Sequence, residues 1–175
     1  INGIEEADLI ILIGTNPRFE ATMVNARIRK SYLNNNLKII SLNDVGDLTY
    51  PYKILDGKTQ TIKDIIEHKN EVSKDIVDSK KPMIILGESF LNIKSASYLF
   101  KSLKNFLIKN NKFTDDWNPL NILSVDAATV GNFDLDVINM KHDILNDLIQ
   151  NKFELVYLLG QDSLNFNKKN EFVVY

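Results

Sequence analysis

Asp8-Leu9-Ile10-Ile11-Leu12-Ile13-Gly14-Thr15-Asn16-Pro17-Arg18-Phe19-Glu20-Ala21 opens the stretch whose pattern decides the fold. It continues through Thr22–Leu33, turns at Asn34-Asn35-Asn36 and closes on Leu37-Lys38-Ile39-Ile40-Ser41-Leu42. Leu9–Ile13 is an unbroken aliphatic run, the mark of a strand buried on both faces. Gly14 ends it. Thr15-Asn16-Pro17 supplies a helix start, a polar cap followed by proline at the first helical position. Glu20 lies in the first turn, where a carboxylate suits the helix dipole. A helix over Pro17–Leu33 and a second strand over Leu37–Leu42 complete a β–α–β unit with a parallel crossover.

That helix carries two apolar faces. Ala21, Val24, Ile28 and Tyr32 form one stripe, and Phe19, Met23, Ala26 and Leu33 lie roughly opposite. A helix of this kind is expected to be covered on both sides. Arg18, Asn25 and Arg29 share the border of the first stripe. Arg27 and Lys30 read as a solvated face, and Arg18 and Arg29 as pairing residues for carboxylates in a larger assembly.

Working outward, Thr61–Ser79 reads as one interrupted helix or two short ones, stopped by Lys80-Lys81-Pro82. Met83–Leu86 is a third aliphatic strand, followed by Gly87-Glu88-Ser89 and a helix over Phe90–Lys109. Leu120–Val125 is a fourth strand candidate. Ala127–Asp136 reads as irregular, and Met140–Ile149 as a short helix with Leu145, Leu148 and Ile149 inward. Leu155–Leu159, ended by Gly160-Gln161-Asp162, is a fifth strand, and Phe172–Tyr175 starts a sixth. Strands alternating with helical patterns predict an α/β fold, a mainly parallel sheet with helices on both faces. Leu9–Ile13, Leu37–Leu42, Met83–Leu86 and Leu155–Leu159 are expected in one sheet. A division into two lobes, about residues 1–80 and 81–175, suits the two strand–glycine–helix units. The chain begins without methionine and ends within an apolar run, as a piece of a longer polypeptide would.

The chain has 175 residues and a formal net charge of -2, against the basic excess of a general nucleic-acid binder. Its apolar runs are far shorter than a membrane span. It has no cysteine, which excludes disulfides, thiolate zinc sites, cysteine-held iron–sulfur clusters and a cysteine nucleophile within these residues. The histidines are two, His68 and His142, in separate polar segments, so no metal site is expected.

Gly14, Thr15, Asn16, Pro17 and Arg18 are the candidate anion or nucleotide loop, because a helix N-terminus offers free N–H groups and a positive partial charge. The loop is neither the Gly-x-Gly-x-x-Gly fingerprint nor a P-loop. Asp44, near the end of the second strand, stands where dinucleotide folds hold a ribose, or is a solvated turn residue. Asp115-Asp116 and the Asp134/Asp136 pair read as loop solvation. Gly-Glu-Ser-Phe-Leu at 87–91 lacks the nucleophile elbow, so a hydrolase is rejected and no catalytic residue is assigned.

Residues 4–33, with Gly14–Lys30 as their most specific block, resemble the largest iron–sulfur subunits of respiratory complex I, the proton-pumping NADH:ubiquinone oxidoreductase. The likeness is to their molybdopterin-oxidoreductase-like domain. Collinear matches follow at Asp47-Leu48-Thr49-Tyr50, Lys81–Gly87, Asp116-Trp117-Asn118, Asn121-Ile122-Leu123 and Leu158–Asp162. In the wider family the strand–Gly-x-Asn-Pro–helix element holds a molybdopterin guanine dinucleotide, and Gly14, Thr15, Asn16 and Pro17 match it. The complex I branch implies a vestigial loop, no molybdopterin, no cofactor in this chain, and clusters held elsewhere in the parent subunit. It also implies a non-catalytic structural role in the peripheral arm. The partners implied are the other peripheral-arm subunits and the iron–sulfur part of the same subunit. The location implied is the matrix side of the mitochondrial inner membrane, or the cytoplasmic side of a bacterial one. The alternatives are a fragment of a formate-dehydrogenase-like enzyme with a working dinucleotide site, and a free-standing nucleotide-binding module.

Overall fold

The computed structural model of the chain describes residues 2–126, 128–137, 143–160 and 172–174. Two compact units divide it, Ile1–Ala127 and Ala128–Tyr175. In the first, a 3-10 turn at Asn2–Glu6 leads into β1, Leu9–Ile13, whose five residues are all buried. β1 pairs in parallel with β2, Lys38–Leu42, on one side and with β4, Pro82–Leu86, on the other. β3 is Lys53–Leu55 and β5 is Leu120–Ile122, giving a parallel sheet of order β3-β2-β1-β4-β5. The three central strands are the long aliphatic ones. The two edges are three residues each, as short edge strands resist further pairing. Pro82, without an N–H, stands at the first position of β4, where a ladder tolerates it.

Side chains alternate across β1 and supply two layers. Leu9, Ile11 and Ile13 join Ile62, Ile65, Ile76, Leu99, Leu103 and Leu107 on one face. Ile10 and Leu12 join Val24, Ile28, Leu48, Tyr50 and Trp117 on the other. The first layer is closed by α3 (Thr59–Ile66), α4 (Glu71–Asp78) and α6 (Ala96–Lys109), and the second by α2 (Thr22–Asn34). Each buried Leu or Ile contributes about 1.5–3 kcal/mol. Trp117 is buried on the α2 side, where its indole N–H donates to the Pro82 carbonyl at 2.8 Å. The Asp8 carboxylate, just before β1, accepts from the Ser79 hydroxyl and from the Lys80 and Lys81 amides, tying the start of β4 to the start of β1. Partial burial pushes that carboxyl up; the three hydrogen bonds together outweigh it and leave it below its ordinary value.

The expected helix over Pro17–Leu33 is two segments, α1 (Pro17–Glu20) and α2, because Ala21 leaves the helical region at φ −153°, ψ 75°. No proline or glycine causes the break. Glu20 is drawn back toward the loop before α1, while Val24 and Ile28 hold α2 on the sheet. The expected helix over Phe90–Lys109 also divides, into α5 (Glu88–Leu91) and α6. The second strand starts at Lys38, and the fourth candidate ends at Ile122. β3 was not expected, since three residues carry almost no period. Two short helices, α3 and α4, occupy the interrupted Thr61–Ser79 pattern. The boundary expected near residue 80 falls between α4 and β4. Since β4 pairs with β1, both sides of it share one sheet.

In the second unit, α7 (Thr129–Asp134) replaces the irregular stretch expected there. α8 (Ile144–Ile149) buries Leu148 but leaves Leu145 and Ile149 exposed, against the expectation that all three point inward. Residues 140–142 of that expected helix lie outside the described residues. β6 (Leu155–Tyr157) pairs in parallel with β7 (Phe172–Val174) in a separate two-stranded sheet, not with β1 or β2. Leu155 and Tyr157 are exposed, so this strand is not the buried one that its aliphatic run suggested.

Asp8 generates a pH prediction. A carboxyl held below its unfolded value of 3.8 adds stability that is complete above that value and is lost as pH falls through the lower, folded one. Asp8→Asn should therefore lower the unfolding free energy at neutral pH and flatten its fall in acid, with Trp117 fluorescence during urea unfolding as the readout. An acid limb unchanged by the substitution would contradict the clamp.

Candidate functional site

In an open parallel sheet the ligand crevice lies at the carboxyl ends of the strands, where the strand order turns back. Here that point lies between β1 and β4, and it is closed by backbone. The Gly87 N–H donates to the Ile13 carbonyl at 2.9 Å. Gly14 has φ +64°, and a Cβ there would lie 2.6 Å from the Phe90 nitrogen. A Cβ on Gly87 would lie 2.2 Å from the Gly14 carbonyl oxygen. Glycine is thus required at both positions, once for backbone conformation and twice for close approach.

Beside this contact begins α1. Asn16 is its cap, its side-chain oxygen accepting the Arg18 N–H at 3.1 Å. Pro17 brings no N–H to the first turn. The Glu20 carboxylate reaches back to accept the Asn16 N–H at 3.0 Å and the Thr15 hydroxyl at 2.7 Å. Thr15 is buried, and an internal carboxylate therefore holds the groups that an external anion would seek. The Phe19 and Glu20 amides bond the Asn16 carbonyl.

Arg18 turns away from the strand ends. Its guanidinium donates to the Asp47 carboxylate at 2.7 Å and to the Asp47 carbonyl at 2.6 Å. The Thr49 amide first, and Arg18 second, hold the Asp47 carboxyl below its ordinary value. Asn16 donates to the Val45 carbonyl at 2.8 Å. Asn25, buried on α2, donates to the Leu48 carbonyl at 3.0 Å and accepts the Tyr50 hydroxyl at 2.7 Å. Burial, with Tyr52 nearby, pushes the Tyr50 phenol up. Three side chains thus fasten the loop after β2 to α1 and α2. Asp44 is exposed and accepts the Gly46 N–H at 2.9 Å, the hydrogen bond of a turn residue.

What remains open at the strand ends is a pocket of about 210 Å³. Gly14, Asn43, Thr59, Ser89 and Phe90 are among its lining, which includes no lysine or arginine. Glu88 is engaged through one carboxylate oxygen. It accepts the Val125 N–H at 2.9 Å and lies 3.3 Å from the Ser124 hydroxyl. Gln161 and Asp162, which follow the expected fifth strand, lie outside the described residues, as does His142. Among the described residues no three His, Asp or Glu side chains gather as metal ligands would, and no helix is long and apolar enough to cross a membrane.

The remaining basic residues separate. Arg27 is not a solvated-face residue. It forms a two-pronged pair with Glu5 at 2.9 and 2.6 Å, which holds the Glu5 carboxyl below its ordinary value. Lys30 stands 3.8 Å from the same carboxylate. Arg18 finds its carboxylate within this chain, and Arg29 is exposed, with no ion pair among the described residues. The roles of Glu20, Val45, Asp47 and Tyr50 were missed from the sequence. Asp47–Tyr50 had stood out only as a block of resemblance.

A family model described as molybdopterin oxidoreductase matches residues 1–175. The chain is 37% identical, over 98% of its length, to the NADH-ubiquinone oxidoreductase 75 kDa subunit of Reclinomonas americana. It is 34% identical, over 100% of its length, to the NADH dehydrogenase (ubiquinone) iron-sulfur protein 1, mitochondrial, of Solanum tuberosum. It is 35% identical, over 100% of its length, to the NADH-ubiquinone oxidoreductase 78 kDa subunit, mitochondrial, of Candida albicans. The chain spans about a quarter of the length of these relatives, at 25%, 23% and 24%.

The buried Asn25 gives the loop after β2 its firmest attachment. Asn25→Leu leaves the Leu48 carbonyl and the Tyr50 hydroxyl without their partner, at about 1–3 kcal/mol for each group left buried and unpaired. Urea unfolding should show that loss, and Arg18→Ala, at an exposed pair, should cost clearly less. Equal costs would mean that Asn25 does not anchor the loop.

Proposed function

The chain belongs to the molybdopterin oxidoreductase family, and from that premise we propose that it serves as a non-catalytic structural domain. Its setting is the peripheral arm of the proton-pumping NADH:ubiquinone oxidoreductase. There it supports electron transfer carried by clusters held elsewhere in the parent subunit. Its partners are the other peripheral-arm subunits and the iron–sulfur part of its own subunit. Its place is the matrix side of the mitochondrial inner membrane. The relatives' names support the complex and the organelle.

The single observation that carries the structural role is the Glu20 carboxylate on the Asn16 N–H and the Thr15 hydroxyl. A pyrophosphate at this loop would meet that carboxylate, while Arg18 is turned to Asp47 in an exposed pair. Ligand pockets run to about 300–1,000 Å³, and the 210 Å³ of the pocket that the described residues form at these strand ends supports an unfilled site. The charge–dipole attraction of a helix start, about 0.3–1 kcal/mol, is far below the roughly 8 kcal/mol of micromolar binding.

Native mass spectrometry of the parent assembly, with molybdenum and pterin assays on the same sample, tests this. The expected result is the chain among subunits of the NADH:ubiquinone oxidoreductase, with neither molybdenum nor pterin assigned to it. A stoichiometric pterin dinucleotide lost on Gly14→Val would instead establish the formate-dehydrogenase-like reading.

A further inference from the structure

Between β3 and α3 the chain turns through Asp56-Gly57, and Asp56 is the one aspartate of the sequence that precedes a glycine. Glycine has no Cβ to keep its own amide nitrogen from the carboxyl of the residue before it. The Gly57 N–H donates no hydrogen bond among the described residues, so no bond has to break before it turns toward that carboxyl. The Asp56 carboxylate itself is held by Lys58. One oxygen accepts the Lys58 N–H at 2.9 Å, the hydrogen bond of an Asx turn, and the other lies 2.6 Å from the Lys58 ammonium. The ammonium first, and the amide second, hold the Asp56 carboxyl below its ordinary value. Gly57 lies against Asn43, where a Cβ would overlap the Asn43 side-chain amide. Asn43 and Gly57 both line the pocket at the strand ends.

We propose that Asp56-Gly57 is a site of isoaspartate formation, restrained by the hold of Lys58 on the Asp56 side chain. In the first step the Gly57 nitrogen attacks Cγ of Asp56, a C–N bond forms and the Cγ–OH bond breaks. Water leaves with that hydroxyl and the amide proton, and a cyclic succinimide remains. Water then adds to the Asp56 main-chain carbonyl carbon, and the ring C–N bond on that side breaks. The main chain now runs through Cγ, and the former main-chain carbonyl is a free carboxylate. No electron is exchanged, and the water lost is the water regained. The ring closes from the neutral carboxyl, which has a hydroxyl to lose, so a carboxylate gripped by Lys58 is a poor electrophile. The added main-chain methylene falls between β3 and α3, beside Asn43, at the rim of the strand-end pocket. The reaction is internal to the turn, so it needs no bound partner and does not rest on the role proposed above.

The test ages the full-length subunit in mildly acidic buffer and locates isoaspartate by electron-transfer fragmentation of the peptide that spans β3 and the start of α3. Isoaspartate is expected at Asp56, and earlier there than at the other described aspartates. Lys58→Ala removes the ammonium and keeps the amide. The pair is exposed and adds little to stability, so the variant folds. It should raise the rate of isoaspartate formation several-fold. Asp56→Asn carries its own leaving group, ammonia, and should close the same ring at a rate that Lys58→Ala leaves unchanged. No isoaspartate at Asp56 with or without Lys58→Ala, or an Asp56→Asn chain that keeps its amide, would show that the turn cannot close the ring and would overturn the site. Equal rates in the native and Lys58→Ala chains would overturn the restraint.

Discussion

Everything at the strand ends depends on backbone lying against backbone at Gly14 and Gly87. With β1 and β4 adjacent and in register from Leu9–Pro82 to Ile13–Leu86, the two chains leave the sheet at the same level. Two ordinary residues there would force the loops apart and open a crevice of the kind that ligands enter in related sheets. Glycines let the Gly87 amide continue the ladder one step past the strands and let Phe90 settle over Gly14. The closure buries Thr15, and a buried hydroxyl needs a partner. Glu20 provides it, four residues into the region that the sequence marked as a helix start.

The same economy holds the loop after β2. Its carbonyls at Val45, Asp47 and Leu48 are met by Asn16, Arg18 and Asn25, one residue from the α1 cap, one from α1 and one from α2. The bonds differ in kind. Arg18 and Asp47 sit in water, where such a pair is screened. Asn25 is buried and its amide is satisfied on both ends, so it sets the loop's position. The cationic side chain that first drew attention to the site is therefore less consequential for the architecture than the neutral amide beside it.

How much of this was legible in the sequence follows from how far each signal reaches. The aliphatic runs at Leu9–Ile13 and Met83–Leu86 exposed the central strands because burial on two faces leaves a mark in every residue. The same rule misjudged Leu155–Leu159, an apolar run that among the described residues pairs with Phe172–Val174 alone and whose Leu155 and Tyr157 remain exposed. Composition records hydrophobicity and not what covers it. The Asn16 cap was visible because it acts between near neighbours. The break at Ala21 was not, since it answers to contacts of Glu20 and Val24 in different directions. Asp47 as the partner of Arg18, and Glu5 as the partner of Arg27, lie 29 and 22 residues away, beyond any local pattern.

A site can lose a ligand in two ways, by losing its groups or by turning them on each other. Gly14, Thr15, Asn16 and Pro17 are all present, and Glu20 is turned on the Thr15 hydroxyl and the Asn16 N–H. Glu20 is tethered four residues from Asn16, and a tethered group competes at an effective concentration of millimolar or more. An incoming phosphate must displace two hydrogen bonds to a charged acceptor, each contributing about 1.5–3 kcal/mol. It would then share the site with the displaced carboxylate, a like charge that repels it. Neutralising cations could reverse the balance; Arg27 is held by a two-pronged pair with Glu5, and Arg18 is turned to Asp47 in an exposed pair that a phosphate could draw it from. The loop keeps the geometry of an anion site while its own carboxylate occupies the donors, so its glycines and its cap serve the packing of the strand ends whether or not a ligand binds.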